Sequence, residues 1–128
     1  MTGPTRVVVV GQGYVGLPLA MRSVMAGHDV TGVDVSIERV KSLASGESFV
    51  EDVSAEELAA ALATGRYRVT DSPLGCEGFD VALVTVPTPL HESAPDLRYI
   101  EQASTMLAPY VTPGSLIVLE STTYPGTT

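Results

Sequence analysis

The chain of 128 residues is short of cysteine, of aromatic side chains and of positive charge, and each shortage excludes a class of protein. Its one cysteine, Cys76, cannot form an internal disulfide framework and suits the reducing cytoplasm. Seven basic residues against fifteen acidic ones give a net charge of −8, which argues against a nucleic-acid-binding surface. Small aliphatic residues dominate instead, and they favour a sheet covered by helices.

Long apolar runs are also missing. No run approaches the roughly 20 residues of a membrane span, and residues 7–10 are too few for the core of a signal peptide. The sequence therefore predicts a single cytoplasmic domain with no membrane partner. One group of acids shows no metal-binding spacing and is predicted to be solvated: Glu47, Glu51, Asp52, Glu56 and Glu57.

The stretch that organises the chain is residues 6–16, RVVVVGQGYVG. Its four valines predict a parallel strand that is buried on both faces, and a helical pattern follows the glycines. The glycines have the spacing G-x-G-x-x-G of a dinucleotide site. In such a site Gly11 permits a tight turn, Gly13 lets a pyrophosphate approach the backbone, and Gly16 lets the helix pack against the strand. The N-terminus of that helix directs free N–H groups at the phosphates.

An acid follows at the distance that this fingerprint requires, roughly 20 residues on. Asp34 lies near the end of the second apolar run, residues 29–35. Its carboxylate is placed to accept hydrogen bonds from ribose hydroxyls and to repel the 2′-phosphate of NADP, so NAD is the predicted cofactor. Arg39 is placed to stack over the adenine, although a solvated helix charge explains it equally well. The alternative for the whole stretch is a tight turn that binds nothing.

Strand and helix patterns alternate along the rest of the chain. Strands are predicted at residues 6–10, 29–35, 67–70, 80–86 and 115–119, and helices at 14–26, 37–45, 55–64 and 97–107. A polar loop is predicted over residues 90–95. Right-handed crossovers then give an α/β doubly wound parallel sheet, a truncated Rossmann fold of strand order 3-2-1-4-5. The nucleotide is expected at the switch between strands one and four, beside Val86, Pro87 and Thr88.

Five segments together resemble one family. They are GQGYVGLPLA at 11–20, GVDV at 32–35, VPTPL at 86–90, PDL at 95–97 and ESTTYPGTT at 120–128. In these segments the chain resembles the UDP-glucose/GDP-mannose dehydrogenases, and its ending is most similar to the branch that oxidises UDP-N-acetylhexosamines. The resemblance implies an enzyme of polysaccharide biosynthesis that oxidises C6 of a UDP-sugar, UDP-N-acetylhexosamine or UDP-glucose, to the uronic acid with two NAD⁺.

The fingerprint, the switch point and this resemblance together give a set of site residues. Those expected to bind the cofactor are Gly11, Gly13, Tyr14, Val15, Gly16, Asp34, Arg39, Val86, Pro87, Thr88, Glu120 and Thr122. The resemblance also makes Thr122 a catalytic residue that positions a water near the nicotinamide. It further implies a cysteine that holds the aldehyde as a thiohemiacetal and a lysine that assists. Neither Cys76 nor Lys41 stands in a matching motif.

Members of that family are much longer than this chain. Residues 1–128 are therefore expected to be the NAD-binding domain without the central and UDP-binding domains, and to be inactive alone. The apolar fifth strand would then be an unpaired edge, so a homo-oligomer or marginal stability is expected. The alternatives are a stand-alone NAD-binding module, a remnant that binds nothing, or a dehydrogenase of the 3-hydroxyisobutyrate or 6-phosphogluconate type. The segments VPTP and YPG count against the last.

Overall fold

A computed structural model describes residues 5–86, 90–91, 94–95 and 97–120, with the backbone alone at 90–91 and 94–95. Three predicted site residues, Pro87, Thr88 and Thr122, lie outside the described residues. In the part of the chain that is described, no helix is long and apolar enough to cross a membrane.

Five strands of the described part of the chain form one sheet, and all of their pairings are parallel. In chain order they are β1 (Arg6–Val10), β2 (Asp29–Val33), β3 (Tyr67–Thr70), β4 (Val81–Val84) and β5 (Leu116–Leu119). Their order across the sheet is 3-2-1-4-5, so the predicted topology is confirmed. β1 lies at the centre, between β2 and β4, because its valines are apolar on both faces.

In the described residues, four α-helices cover the sheet: α1 (Gly16–Met25), α2 (Ile37–Ala44), α3 (Ala55–Ala63) and α4 (Arg98–Leu107). Two of them begin at serine caps that the sequence predicts. Ser36 Oγ accepts a 3.3 Å hydrogen bond from the N–H of Arg39, and Ser54 Oγ accepts one of 3.0 Å from the N–H of Glu57. Each cap satisfies one of the backbone donors that a helix start leaves free.

The core lies on both faces of the sheet. Val7 and Val9 of β1 point to the cluster that contains the apolar residues of α1, α2 and α3. Val8 and Val10 point to the opposite cluster, which contains Ala103 and Leu107 of α4. Alternation along one strand thus supplies both cores, which makes the sheet doubly wound.

Three element boundaries differ from the predictions by two residues, and several others differ by one. Helix α1 begins at Gly16 instead of residue 14, β2 ends at Val33 instead of residue 35, and β4 ends at Val84 instead of residue 86. In each case the residues at issue lie in turns at the carboxyl edge of the sheet. Tyr14, Val15, Val35 and Val86 extend the apolar pattern of the neighbouring helix or strand, although their backbone lies outside it.

A short antiparallel pairing joins Leu90–His91 to Ala94–Pro95. The prediction of a plain loop over residues 90–95 is therefore wrong. Two residues per strand are too few to show any alternation of apolar and polar side chains, so the sequence pattern cannot signal this pairing.

Candidate functional site

A cavity of about 520 Å³ lies at the carboxyl ends of β1, β2 and β4. Its walls come from the glycine turn, the end of β2, the end of β4 and one side of α4. The lining residues are Val10, Gly11, Gly13, Tyr14, Val15, Val33, Asp34, Val35, Ser36, Arg39, Asp71, Thr85, Val86, Tyr99, Gln102, Ala103 and Met106. This is the switch point at which open α/β sheets bind their ligands. A larger cavity, of about 650 Å³, is lined by Arg6, Asp29 and Arg68 among others. No residue of the glycine fingerprint lines it.

Gly11 forms the tight turn that leaves β1. Its φ is +93°, and an added Cβ would lie 2.8 Å from the carbonyl oxygen of Thr85. The Thr85 hydroxyl donates hydrogen bonds to the carbonyl oxygens of Val10 (2.8 Å) and Gly11 (2.9 Å). Thr85 thus ties the turn to the end of β4, and only glycine fits the turn.

Gly16 allows α1 to start directly against this turn. An added Cβ would lie 1.8 Å from the carbonyl oxygen of Gly11 and 2.4 Å from Oγ1 of Thr85. The first contact is with backbone, which cannot swing aside. The predicted reason for this glycine, close packing of the helix start against the strand, agrees with these distances.

Gly13 differs because the protein leaves the space beside it open. Among the described residues, an added Cβ would meet only Nη1 of Arg39, at 3.5 Å, an ordinary van der Waals distance. In the described part of the chain no side chain caps α1, and its first turn contains no acid, so an anion meets no competing group at this helix start. Open space beside an uncapped helix start fits the diphosphate of a dinucleotide.

Asp34 is held at the rim of the cavity by backbone donors. The N–H of Gln12 donates to its Oδ2 and the N–H of Ser36 donates to its Oδ1, each at 2.9 Å. Nη1 of Arg39 lies 3.5 Å from Oδ2, and the carboxylate side chain is only 6% exposed. A carboxylate fixed in this way still has free lone pairs for ribose hydroxyls.

Arg39 lines the same cavity with a half-exposed side chain. Its guanidinium carbon lies 5.4 Å from the centre of the Phe49 ring, within the range of a cation–π contact. The ion pair with Asp34 and the contact with Phe49 make this arginine more than a solvated helix charge. Stacking of its other face on adenine stays a prediction.

Sequence reasoning missed Gln12, which lies between the first two glycines and is fully buried. Its Nε2 donates to the carbonyl oxygens of Val9 (3.1 Å) and Gly11 (3.0 Å). Its Oε1 accepts a 2.7 Å hydrogen bond from the Tyr67 hydroxyl. Burial, and to a smaller degree the charge of Asp34, raise the pKa of Tyr67 far above its ordinary value. A polar side chain that follows an apolar strand was the available signal.

The remaining predicted residues fall in different places. Tyr14, Val15 and Val86 line the cavity, and Tyr14 is 73% exposed. The N–H of Glu120 donates to the carbonyl oxygen of Val84 at 2.9 Å, at the same edge of the sheet, but Glu120 is not among the lining residues. The roles assigned to Glu120, Pro87, Thr88 and Thr122 stay predictions.

Comparison with known proteins agrees with this geometry. Residues 5–128 match the NAD binding domain of the UDP-glucose/GDP-mannose dehydrogenase family. The chain belongs to this family. The resemblance seen in the sequence is thereby confirmed, and NAD is the cofactor of the family domain that the cavity fits.

Relatives in this family are much longer than this chain. A UDP-N-acetyl-D-mannosamine dehydrogenase of Pyrococcus horikoshii is 38% identical over 124 residues, which cover 96% of this chain and 30% of the relative. An NDP-N-acetyl-D-galactosaminuronic acid dehydrogenase of Ralstonia nicotianae is 39% identical over 122 residues, 94% of this chain and 28% of the relative. The structure of a UDP-D-ManNAc dehydrogenase from Pyrococcus horikoshii superposes with a TM-score of 0.88 at 37% identity, over 96% of this chain and 30% of that one. The chain thus spans less than a third of these relatives.

Neither of the two side chains with possible covalent chemistry lies at the cavity of this dehydrogenase domain. Cys76 is fully buried in the α4 cluster, and burial raises the pKa of its thiol. Lys41 lies exposed on α2. Because the reactive form of a cysteine is the thiolate, Cys76 is unsuited to act as a nucleophile. Among the described residues no group of His, Cys, Asp and Glu could hold a metal ion.

Proposed function

We propose that this chain supplies the cofactor-binding part of a cytoplasmic dehydrogenase that oxidises C6 of a UDP-N-acetylhexosamine to the uronic acid. UDP-glucose is the alternative sugar. The observation that carries the proposal is the cavity at the switch between β1 and β4, with open space beside Gly13 and a fixed carboxylate at Asp34. Both curated relatives described above carry names that refer to N-acetylated hexosamines, which supports that sugar class.

The residues of this chain would bind and orient the cofactor. The first turn of α1 faces the diphosphate, Asp34 accepts hydrogen bonds from the adenosine ribose, and Val86 forms part of the apolar wall. When bound, NAD⁺ would supply the hydride acceptor for both oxidations at C6, from alcohol to aldehyde and from aldehyde to acid. The product would be a sugar acid for polysaccharide biosynthesis.

The sugar and the covalent chemistry would be handled by the part of the relatives that this chain does not cover. The buried thiol of Cys76 and the position of Lys41 support this division, because neither group reaches the cavity. We therefore propose that the chain binds NAD but does not oxidise a nucleotide sugar by itself.

Two measurements test this proposal. The first is calorimetric titration of the chain with NAD, with Asp34→Ala as the control for the site. The second is NADH absorbance with UDP-N-acetylmannosamine, UDP-N-acetylgalactosamine and UDP-glucose, for the chain alone and for a fusion to the remaining part of the Pyrococcus horikoshii relative. We expect NAD binding, no turnover by the chain alone, and turnover of an N-acetylated sugar by the fusion.

The outcomes separate the alternatives. A folded fusion that binds NAD and UDP-sugar without forming NADH would favour a stand-alone NAD-binding module. Turnover by the chain alone would overturn the proposed division of labour. A chain that does not bind NAD would be a structural remnant.

A further inference from the structure

We propose that Gln12 and Tyr67 are positioning residues of the dinucleotide site, which hold Asp34 and the glycine turn in the geometry that selects NAD over NADP. We call their hydrogen bonds the Gln12–Tyr67 relay. The inference rests on the proposed function of the cavity. It adds two residues that do not line the cavity and would not touch the cofactor.

Gln12 joins the two halves of the site through its backbone and its side chain. Its N–H donates to Oδ2 of Asp34 at 2.9 Å, while its Nε2 donates to the carbonyl oxygens of Val9 and Gly11. One residue therefore sets the position of the ribose-binding carboxylate relative to the turn that faces the diphosphate. A shift of the Gln12 backbone moves both.

Tyr67 fixes the orientation of the Gln12 amide. Its hydroxyl, in a side chain that is 2% exposed, donates to Oε1 at 2.7 Å. If the amide were flipped, its oxygen would face the carbonyl oxygens of Val9 and Gly11, and two acceptors repel each other. The amide has one satisfied orientation, and the phenol at the start of β3 completes it.

Gly32 in β2 makes room for this amide. An added Cβ at Gly32 would lie 2.3 Å from Oε1 and 2.5 Å from Cδ of Gln12. The end of β1, the middle of β2 and the start of β3 are therefore adapted to one buried polar group. An apolar side chain would fill the same space without any hydrogen-bond requirement, so the polar pair is best explained by the geometry that it fixes.

The consequence for cofactor choice follows from the carboxylate. Oδ1 and Oδ2 of Asp34 each accept one backbone N–H, so only their remaining lone pairs can meet ribose hydroxyls. If a hydrogen bond of the Gln12–Tyr67 relay is lost, the Asp34 carboxylate shifts, its lone pairs no longer meet the ribose hydroxyls, and NAD binding weakens. NADP gains nothing from them, because its 2′-phosphate is repelled by the same carboxylate. The ratio of the two affinities is thus a readout that a simple loss of stability leaves unchanged.

Calorimetric titration of folded protein with NAD and NADP tests the proposal. We expect Tyr67→Phe to lower the ratio of NAD to NADP affinity about fivefold, the factor that corresponds to one ordinary hydrogen bond. Any loosening of the glycine turn weakens the binding of both nucleotides, because both carry the diphosphate, and it cancels in this ratio. The matched control is Tyr110→Phe, which removes a hydroxyl from a half-buried tyrosine packed against the opposite core cluster. We expect both affinities to be unchanged in the control.

A second variant reaches the relay from β2. Gly32→Ala displaces the Gln12 amide without altering Gln12, Tyr67 or Asp34, and it should lower the NAD to NADP affinity ratio to a similar extent. Tyr67→Phe decides the test if circular dichroism shows that it is folded, and Gly32→Ala decides it otherwise. An unchanged ratio in the deciding variant overturns the relay alone. Failure of the unaltered chain to bind NAD overturns both the relay and the proposed function.

Discussion

The backbone N–H of Gln12 donates a 2.9 Å hydrogen bond to the carboxylate of Asp34, which ties the turn after β1 to the residue that follows β2. The two residues are remote in sequence and adjacent at the carboxyl edge of the sheet, because β1 and β2 pair in register from Arg6↔Asp29 to Val10↔Val33. The turn that we propose faces the diphosphate and the acid that we propose binds the ribose are therefore joined at one corner of the sheet.

The first prediction concerns the carboxylate. Asp34→Asn keeps one oxygen acceptor and removes the negative charge, so it should reduce the preference for NAD over NADP by about 1–3 kcal/mol. Fluorescence titration with both nucleotides measures this preference. Asp29→Asn, at the opposite end of the same strand, is the matched control. If the preference is unchanged in Asp34→Asn, Asp34 does not belong to the site.

The second prediction separates the roles of two fingerprint glycines. Gly13→Ala should keep the melting temperature and weaken NAD binding about tenfold or more, because its methyl group enters open space that the diphosphate would use. Gly16→Ala should destabilise the fold by about 3 kcal/mol, because its methyl group meets the Gly11 carbonyl. Thermal unfolding and calorimetry measure the two effects. A Gly13→Ala variant with full NAD affinity would contradict the placement of the diphosphate.

The third prediction concerns alkaline pH. The pKa values of Tyr67 and Cys76 are raised in the folded protein, chiefly by burial, so the folded state holds these protons more tightly than the unfolded chain. Their contribution to stability is complete below the unfolded pKa values, about 9 for Cys76 and about 10 for Tyr67, and it is lost as the pH rises towards the folded values. The free energy of unfolding in urea should therefore fall from about pH 9 upwards.

Variants identify the groups responsible for this fall. Tyr67→Phe should flatten the part of the profile above about pH 10, and Cys76→Ala the part that starts near pH 9. Each variant lowers the absolute stability, so only the slope against pH is compared with that of the unaltered chain. An identical slope in Tyr67→Phe would show that the tyrosine does not titrate abnormally.

The fourth prediction concerns the edge of the sheet. β5 pairs with β4, and no other described strand pairs with its far side. Leu116, Ile117 and Leu119 are about half exposed, at 55%, 46% and 52%. An apolar, uncharged edge invites pairing with a second copy, so the chain should self-associate, and Ile117→Lys should shift it towards the monomer. Light scattering over a range of concentrations measures this.

The control for the edge is Met25→Lys, which places the same charge on another exposed apolar residue, at the end of α1. It should leave the self-association unchanged. A clean monomer of the unaltered chain at every concentration would contradict the prediction.

Much of the fold could be predicted because its signals are local. The valines of β1 predict a buried parallel strand. Ser36 and Ser54 precede helical patterns and predict the N-caps that the structure shows. The boundaries were less predictable. Val15 and Val35 extend the apolar patterns although Val15 precedes the helix and Val35 follows the strand. A sequence pattern records side-chain polarity without recording backbone direction.

The candidate site could be predicted at positions where the local geometry or the expected contact suits only one type of residue. Gly11, Gly16 and Asp34 are such residues, and the structure places them at one corner. Gln12, Gly32 and Tyr67 were not, because their meaning depends on which side chains from three separate strands meet in the interior.

The sequence by itself determined the strand order and the position of the glycine turn, because these depend on periodicity and on backbone freedom that are written residue by residue. Its five motif segments carried the resemblance to the family. Only the tertiary structure decided that the Gln12 side chain is buried, that Tyr67 donates a hydrogen bond to it and that Cys76 is buried in the core. A hydrogen bond between distant strands exists only after the register of the sheet is fixed, and local sequence does not contain that register.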